Sequence, residues 1–218
     1  MAEVNLLNKL PRSKRNVNAR AEAKSPEIIA ASREYGQLYF DGPRTYGYGG
    51  YRYDGRWVPV AEDMVAHFGL KPGDRVLDVG CAKGFLVKDL MKACPGLEGF
   101  GLDISEYALM NCEPEVVGRL HLGNAKKLPF PDNSFAAVIS LNTIHNLDRP
   151  DLITALREIE RLAPGKGFVQ VDSYRTPEQK ALFLEWVLTA HYHDYPAGWI
   201  ELFNEAGYTG DYYWTIVE

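Results

Sequence analysis

The stretch that decides the fold is Val76-Leu77-Asp78-Val79-Gly80-Cys81-Ala82-Lys83-Gly84. An apolar run follows the Pro72-Gly73-Asp74 turn and reads as a buried strand over 75–79. A glycine-punctuated turn comes next, and a helix begins at Gly84 and runs to Lys92. Gly80 and Gly84 let the backbone pass close to a ligand and let the helix pack on the strand. A second strand over 98–102 leads to Asp103, 23 residues after Gly80. A carboxylate there can accept hydrogen bonds from both hydroxyls of a ribose. Any nucleoside cofactor suits this much. A dinucleotide is disfavoured, because its pyrophosphate needs G-x-G-x-x-G at the helix N-terminus. Here the spacing is Gly80-x-x-x-Gly84, with Ala82 in the middle position.

The alternation continues outward. Ser105 caps a short helix to about Cys112; strands are expected over 119–122 and 136–141, a helix over 150–162 and a strand over 167–172. Helices over 177–191 and 198–205 and an aromatic strand over 211–217 complete the series. Upstream, Ser25-Pro26-Glu27 opens a helix to about Tyr35, Gly42 to Gly55 reads as a Tyr/Gly loop, and Val58 to Phe68 is an amphipathic helix closed by Gly69. The pattern predicts an α/β fold: a doubly wound, mostly parallel sheet of six or seven strands, with its ligand at the carboxyl ends of the strands.

These residues resemble the class I S-adenosylmethionine-dependent methyltransferases, in particular the subgroup acting on small molecules. The string VLDVGCAKG resembles their first motif, and Gly101-Leu-Asp-Ile-Ser105 resembles the motif with the ribose-binding acid. Gly123 to Phe135 resembles the stretch that meets the adenine amine; Leu156 to Gly165 and Glu201 to Tyr208 resemble the segments before the fifth and sixth strands. The resemblance covers about residues 58–214 and implies a Rossmann-like methyltransferase fold with S-adenosyl-L-methionine as cofactor. It implies cofactor contacts at Asp78, Gly80, Cys81, Ala82, Gly84, Asp103, Ile104, Asn124, Ala125 and Asn142. Three residues depart from the family pattern. Ala82 stands for the usual Gly and adds a methyl beside the cofactor path. Asn124 stands for the usual Asp, and Ala136 for an Asp before the fourth strand. Little chain remains for the usual antiparallel seventh strand, so the last strand is either an edge or covered by another segment.

Composition bounds the rest. The chain has 218 residues, 46% apolar and 24% charged, as in ordinary globular proteins. It holds no run long enough to span a membrane, and Met1 to Arg20 has no apolar core of a secretory leader. Three cysteines, Cys81, Cys94 and Cys112, argue against a disulfide framework and for the cytoplasm. Net charge is −5, but residues 1–24 carry +4 and the remainder −9. Residues 1–24 therefore read as a basic arm, either solvated or docked on an acidic neighbouring subunit, which suggests a homodimer. Of 13 tyrosines, six lie between Tyr35 and Tyr53 and six between Tyr174 and Tyr213, and all four tryptophans share those flanks. Three segments are thus expected: the arm (1–24), a helix and Tyr/Gly-rich lid (25–57), and a cofactor-binding domain (58–218) with acceptor elements in 174–200.

Acceptor chemistry is expected from His145, His193 and Asp194. His145 follows the fourth strand and titrates near neutrality, so it suits a general base. His191-Tyr-His-Asp194 resembles a metal set, but alternate helical residues do not share a face, and no metal is expected. Tyr48, within the lid, is expected to meet the cofactor, and Arg44 or Arg52 could hold its carboxylate. The acidic balance and the missing N/D-P-P-Y string argue against a nucleic-acid substrate. The expected function is methyl transfer to oxygen or nitrogen of a small sugar-like or anionic metabolite. The alternatives are other chemistry of the same cofactor, or a cofactor-binding module without turnover.

Overall fold

The computed structural model describes residues 1–11 and 16–217. Arg12, Lys14 and Arg15, part of the basic arm, lie outside the described residues. The elements run α1 (Val17–Ala23), α2 (Pro26–Arg33), α3 (Gln37–Asp41), α4 (Val58–Phe68), β1 (Arg75–Val79), α5 (Phe85–Ala93), β2 (Glu98–Asp103), α6 (Glu106–Met110), β3 (Leu120–Leu122), β4 (Ala137–Leu141), α7 (Arg149–Leu162), β5 (Gly167–Asp172), α8 (Pro177–Trp186), α9 (Pro196–Ala206) and β6 (Asp211–Thr215). The strands form one sheet in the order β3-β2-β1-β4-β5-β6. Every pair in it is parallel. The strand order reverses between β1 and β4, the switch point where such sheets open a crevice.

Local chemistry explains the ends of the helices. Ser25, Ser105, Asp148 and Thr176 each accept a backbone N–H at their helix starts. Gly69 and Gly207 close α4 and α9 in the left-handed conformation. The sheet is covered on both faces. One face packs Leu152, Leu156 and Ile159 of α7 and Trp199, Leu202 and Phe203 of α9 against it. The other packs Val60 and Met64 of α4 and Leu86 and Leu90 of α5. Both interiors are apolar, which explains why the strands read as continuous apolar runs.

The arm differs from its sequence reading. It is not a solvated tail, because its described part folds onto its own chain. Val4 N–H donates to the Tyr212 carbonyl (2.9 Å) and Tyr212 N–H to the Ala2 carbonyl (3.0 Å), so residues 2–4 cover the outer edge of β6. Leu6 and Leu7 are buried with Val60 and Met64. Lys9 pairs with Asp63 at 2.7 Å. Among the described residues no seventh strand forms; the short amino-terminal segment takes that flank instead. Among the described residues, the bases Lys9, Arg20 and Lys24 of the arm find partners within the chain, and residues 2–4 cover the last strand.

The expected helix over 177–191 stops at Trp186. Residues beyond it turn back, because His191 and Tyr192 N–H both donate to the His145 carbonyl (2.9 and 3.0 Å). That tether pulls the segment toward the carboxyl end of β4 and fits no continuing helix. The short helices α1 and α3 carry too few residues for a periodic signal.

If the amino-terminal segment is structural, Leu7→Ala should cost about 2–4 kcal/mol, as for other buried leucines. Urea denaturation measures this; an unchanged midpoint would show that the segment does not dock.

Candidate active site

The carboxyl ends of the strands open into a cavity of about 1170 Å³. Its floor is the turn after β1. Gly80 has φ +85°, and a Cβ there would strike the side chain of Thr143, which follows β4. Gly80 N–H donates to the Leu102 carbonyl at 2.7 Å, so the turn is pinned to β2 as well. Only glycine meets both demands. Gly84 does not line the cavity. An added Cβ there would meet Val116 at 2.7 Å, so this glycine serves the packing of α5.

Two carboxylates face the floor. Asp103 Oδ2 accepts from Ala82 N–H (2.7 Å) and Oδ1 from Ser105 N–H (2.8 Å). Each oxygen keeps a lone pair for a further donor. Burial raises the Asp103 pKa, and those N–H bonds oppose the rise. Asp78 is 5% exposed and lines the same cavity. Burial first, and the Asp103 charge second, push its pKa up to about 7. Neither carboxylate forms an ion pair among the described residues. The cavity floor therefore suits a cation that also carries hydroxyls, which fits the sulfonium, ammonium and ribose of S-adenosylmethionine.

The other expected cofactor residues divide. Ile104 lines the cavity and is exposed. Asn124 and Ala125 line it too; Asn124 Oδ1 already accepts from Lys126 N–H at 3.0 Å. Asn142 joins a polar ring: its amide donates to Gln170 Oε1, Gln170 donates to Thr215 Oγ1, and Thr215 donates to Asn142 Oδ1. Cys81 contributes backbone to the wall, while its side chain packs with Val87 and Val116, where burial raises the thiol pKa. Ala82 has φ +49°, and its methyl packs with Phe40 and Ala108 beneath the lid. The extra methyl thus supports the lid.

The lid sits over this floor. Asp41 accepts from Lys83 Nζ (2.6 Å) and Tyr107 Oη (2.8 Å). Ser105 Oγ donates to the Tyr35 carbonyl and Tyr53 Oη to Asp89. Arg20 of α1 donates to the carbonyls of Arg44 and Gly47 and lies 4.1 Å over the Trp186 ring. Arg44 is likewise occupied by the Gly47 and Tyr48 carbonyls. Tyr48 is surrounded by protein yet 40% exposed, because it faces the cavity. Burial raises its pKa and keeps the phenol neutral.

The expected catalytic histidines need correction. His145 Nδ1 accepts from Asp172 N–H at 2.9 Å, which places the ring proton on Nε2. Burial lowers its pKa. The ring has no free lone pair, so His145 is no general base. His193 and Asp194 are absent from the cavity wall. His193 packs against Tyr174 and Phe183. Asp194 accepts from Tyr195 N–H and rests against Gly198 at the start of α9. Residues that sequence reasoning missed include Thr143, Asp172 and Thr189, all on the wall. Only Asp172, at a strand's carboxyl end, carried a positional signal.

The chain is similar to known methyltransferases. Residues 77–171 match the family model of the methyltransferase domain. The chain is 34% identical over 128 residues to a demethylmenaquinone methyltransferase of Symbiobacterium thermophilum, covering 55% of this chain and 50% of that one. It is 37% identical over 123 residues to a sterol 24-C-methyltransferase of Gibberella zeae, covering 52% and 31%. Among solved structures, a Haloferax volcanii methyltransferase in complex with the Trm112 activator superposes with a TM-score of 0.55 at 26% identity, covering 67% of this chain and 66% of that one. The chain carries a class I S-adenosylmethionine-dependent methyltransferase domain. It spans half or less of the length of these two sequence relatives.

The raised Asp78 pKa has a sign. A carboxyl raised in the folded state costs nothing below its unfolded pKa and destabilises increasingly as pH rises toward 7. Asp78→Asn should therefore stabilise the free protein, and its advantage should grow by about 2–3 kcal/mol between pH 5 and pH 8. Chemical denaturation at the two pH values checks this; a pH-independent difference would refute it.

Proposed function

We propose that this protein is an enzyme that transfers the methyl group of S-adenosylmethionine to a small-molecule acceptor. The observation that carries the reading is the cavity itself. It joins the Gly80 turn, Asp78 and Asp103 at one end to the Tyr/Trp-lined space under the lid at the other.

Asp103 would hold the ribose hydroxyls, and Asp78 the positive end of the cofactor. Ile104 would lie against the adenine face, with the Asn124–Ala125 edge beside it. When bound, S-adenosylmethionine supplies an activated methyl group on a sulfonium. The chain's own work is to bind, orient and exclude water. Tyr35, Tyr39 and Tyr48 offer planar faces and hydroxyls to the acceptor, and Trp186 closes the roof. Tyr35 is pushed up to about 12 by burial, so its hydroxyl stays a donor at neutral pH. The acceptor is a small molecule methylated on oxygen or nitrogen. The two departures that favoured a non-catalytic module count for little: Ala82 supports the lid, and Asn124 keeps its place on the wall.

Calorimetry with S-adenosylmethionine tests the cofactor, and transfer of isotope-labelled methyl into a metabolite extract tests the activity. Asp103→Ala should weaken cofactor binding by about 1–3 kcal/mol, or roughly 5- to 150-fold. Absence of cofactor binding by the unaltered protein would overturn the reading.

A further inference from the structure

Asp172 belongs to none of the cofactor motifs, yet it holds a commanding place. In the β4–β5 register Gln170 lies level with Leu141, so Asp172 stands two residues beyond the end of β4. It lines the cavity there. Its backbone is pinned on both sides. The N–H donates to His145 Nδ1 at 2.9 Å, and the carbonyl accepts from the Trp199 indole at 3.0 Å. His145 Nε2 lies 3.6 Å from Asp172 Oδ2, beyond hydrogen-bond distance, and the ring also bonds to the Asn142 backbone. That ring is buried and neutral, so it fixes the backbone of Asp172 and stands beside the carboxylate without neutralising it.

Among the described residues, the other charged and titratable neighbours form no ion pair with Asp172. Arg175 is engaged by Glu3 at 2.7 Å. His193 is turned toward Tyr174, with Oη 3.1 Å from Nδ1. Tyr48, which shares the cavity, is a neutral phenol. Tyr35, Tyr39 and Tyr48 form an edge-to-face series with centroids 5.3 and 5.2 Å apart. Such walls favour a flat guest. Arg20 and Arg44 both lie over Trp186, at 4.1 and 5.7 Å, which makes the roof electropositive and opposes a cationic guest.

We propose that Asp172 is a catalytic residue that takes the proton from a hydroxyl of an aromatic acceptor lying against these tyrosines, with His145 as its positioning residue. The proposal rests on the methyl-transfer reading above. The proton passes from the acceptor oxygen to the Asp172 carboxylate. The oxygen's electron pair forms the new C–O bond. The pair of the broken C–S bond stays on sulfur, so sulfonium and carboxylate charges disappear together and a neutral ether, thioether and carboxylic acid remain.

The test uses 4-nitrophenol, whose absorbance reports its own ionisation, bound to the full chain saturated with S-adenosylhomocysteine. A carboxylate beside the hydroxyl favours the neutral phenol. The ionisation midpoint of the bound probe should therefore rise by about one pH unit or more over the free probe. Asp172→Asn, which keeps the backbone bonds, should abolish that rise and leave S-adenosylhomocysteine affinity unchanged. His145→Gln should shrink the rise; an undiminished rise in this variant would remove His145 from the account. A probe that fails to bind, or binds with its midpoint unmoved, overturns the assignment of Asp172. Tighter binding of benzylammonium than of phenol overturns the acceptor class. Failure of S-adenosylhomocysteine itself to bind would instead strike the methyl-transfer reading.

Discussion

Two carboxylates share one cavity floor, and among the described residues no cation pairs with either; the rest of the site follows from that constraint. Asp78, next to last in β1, and Asp103, last in β2, lie near the carboxyl ends of adjacent parallel strands, so the sheet itself holds them close. Charges in such surroundings are costly unless paired. Asp103 is partly relieved by two backbone N–H groups. Asp78 is not, and burial with the neighbouring charge leaves it half-titrated near neutrality. A cationic guest removes that penalty on binding. The site therefore selects for positive charge.

The second constraint is enclosure. Methyl transfer by positioning and desolvation needs a cavity closed to water, and a parallel sheet supplies only a floor. Here the closure comes from the amino-terminal residues. The 35–57 lid is fastened to the cofactor turn through Asp41 and Lys83. Arg20 reaches from α1 to hold the lid's carbonyls and stack on Trp186 of α8. Segments far apart in the chain thus form one roof. The residues that line it are the same aromatic flanks that stand out in the sequence.

Much of the fold was legible because its signals are local. The bounds of α4, β1 and β5 follow from turn glycines and apolar runs, and these elements appear where expected. The cavity floor was legible for the same reason: Gly80 and Asp103 line it, at strand ends whose sequence marks them. The acceptor half was not. Whether His145 can act as a base depends on an N–H of β5, 27 residues away. The fate of the arm depends on the edge of β6, more than 200 residues away. Neither partner leaves a mark near the residue concerned. Asp194 looked chemical beside two histidines, yet its neighbour is Gly198 at the start of a helix.

The central claim is that the cofactor's positive charge answers the Asp78 carboxylate, and proton inventory tests it most directly. Isothermal titration of S-adenosylmethionine into the protein at pH 6.5, repeated in buffers of different ionisation enthalpy, counts protons exchanged on binding. The account predicts a net release of a substantial fraction of one proton, as Asp78 ionises to meet the cation, and its loss in Asp78→Asn. Binding without proton release, or a release that survives in Asp78→Asn, would contradict it.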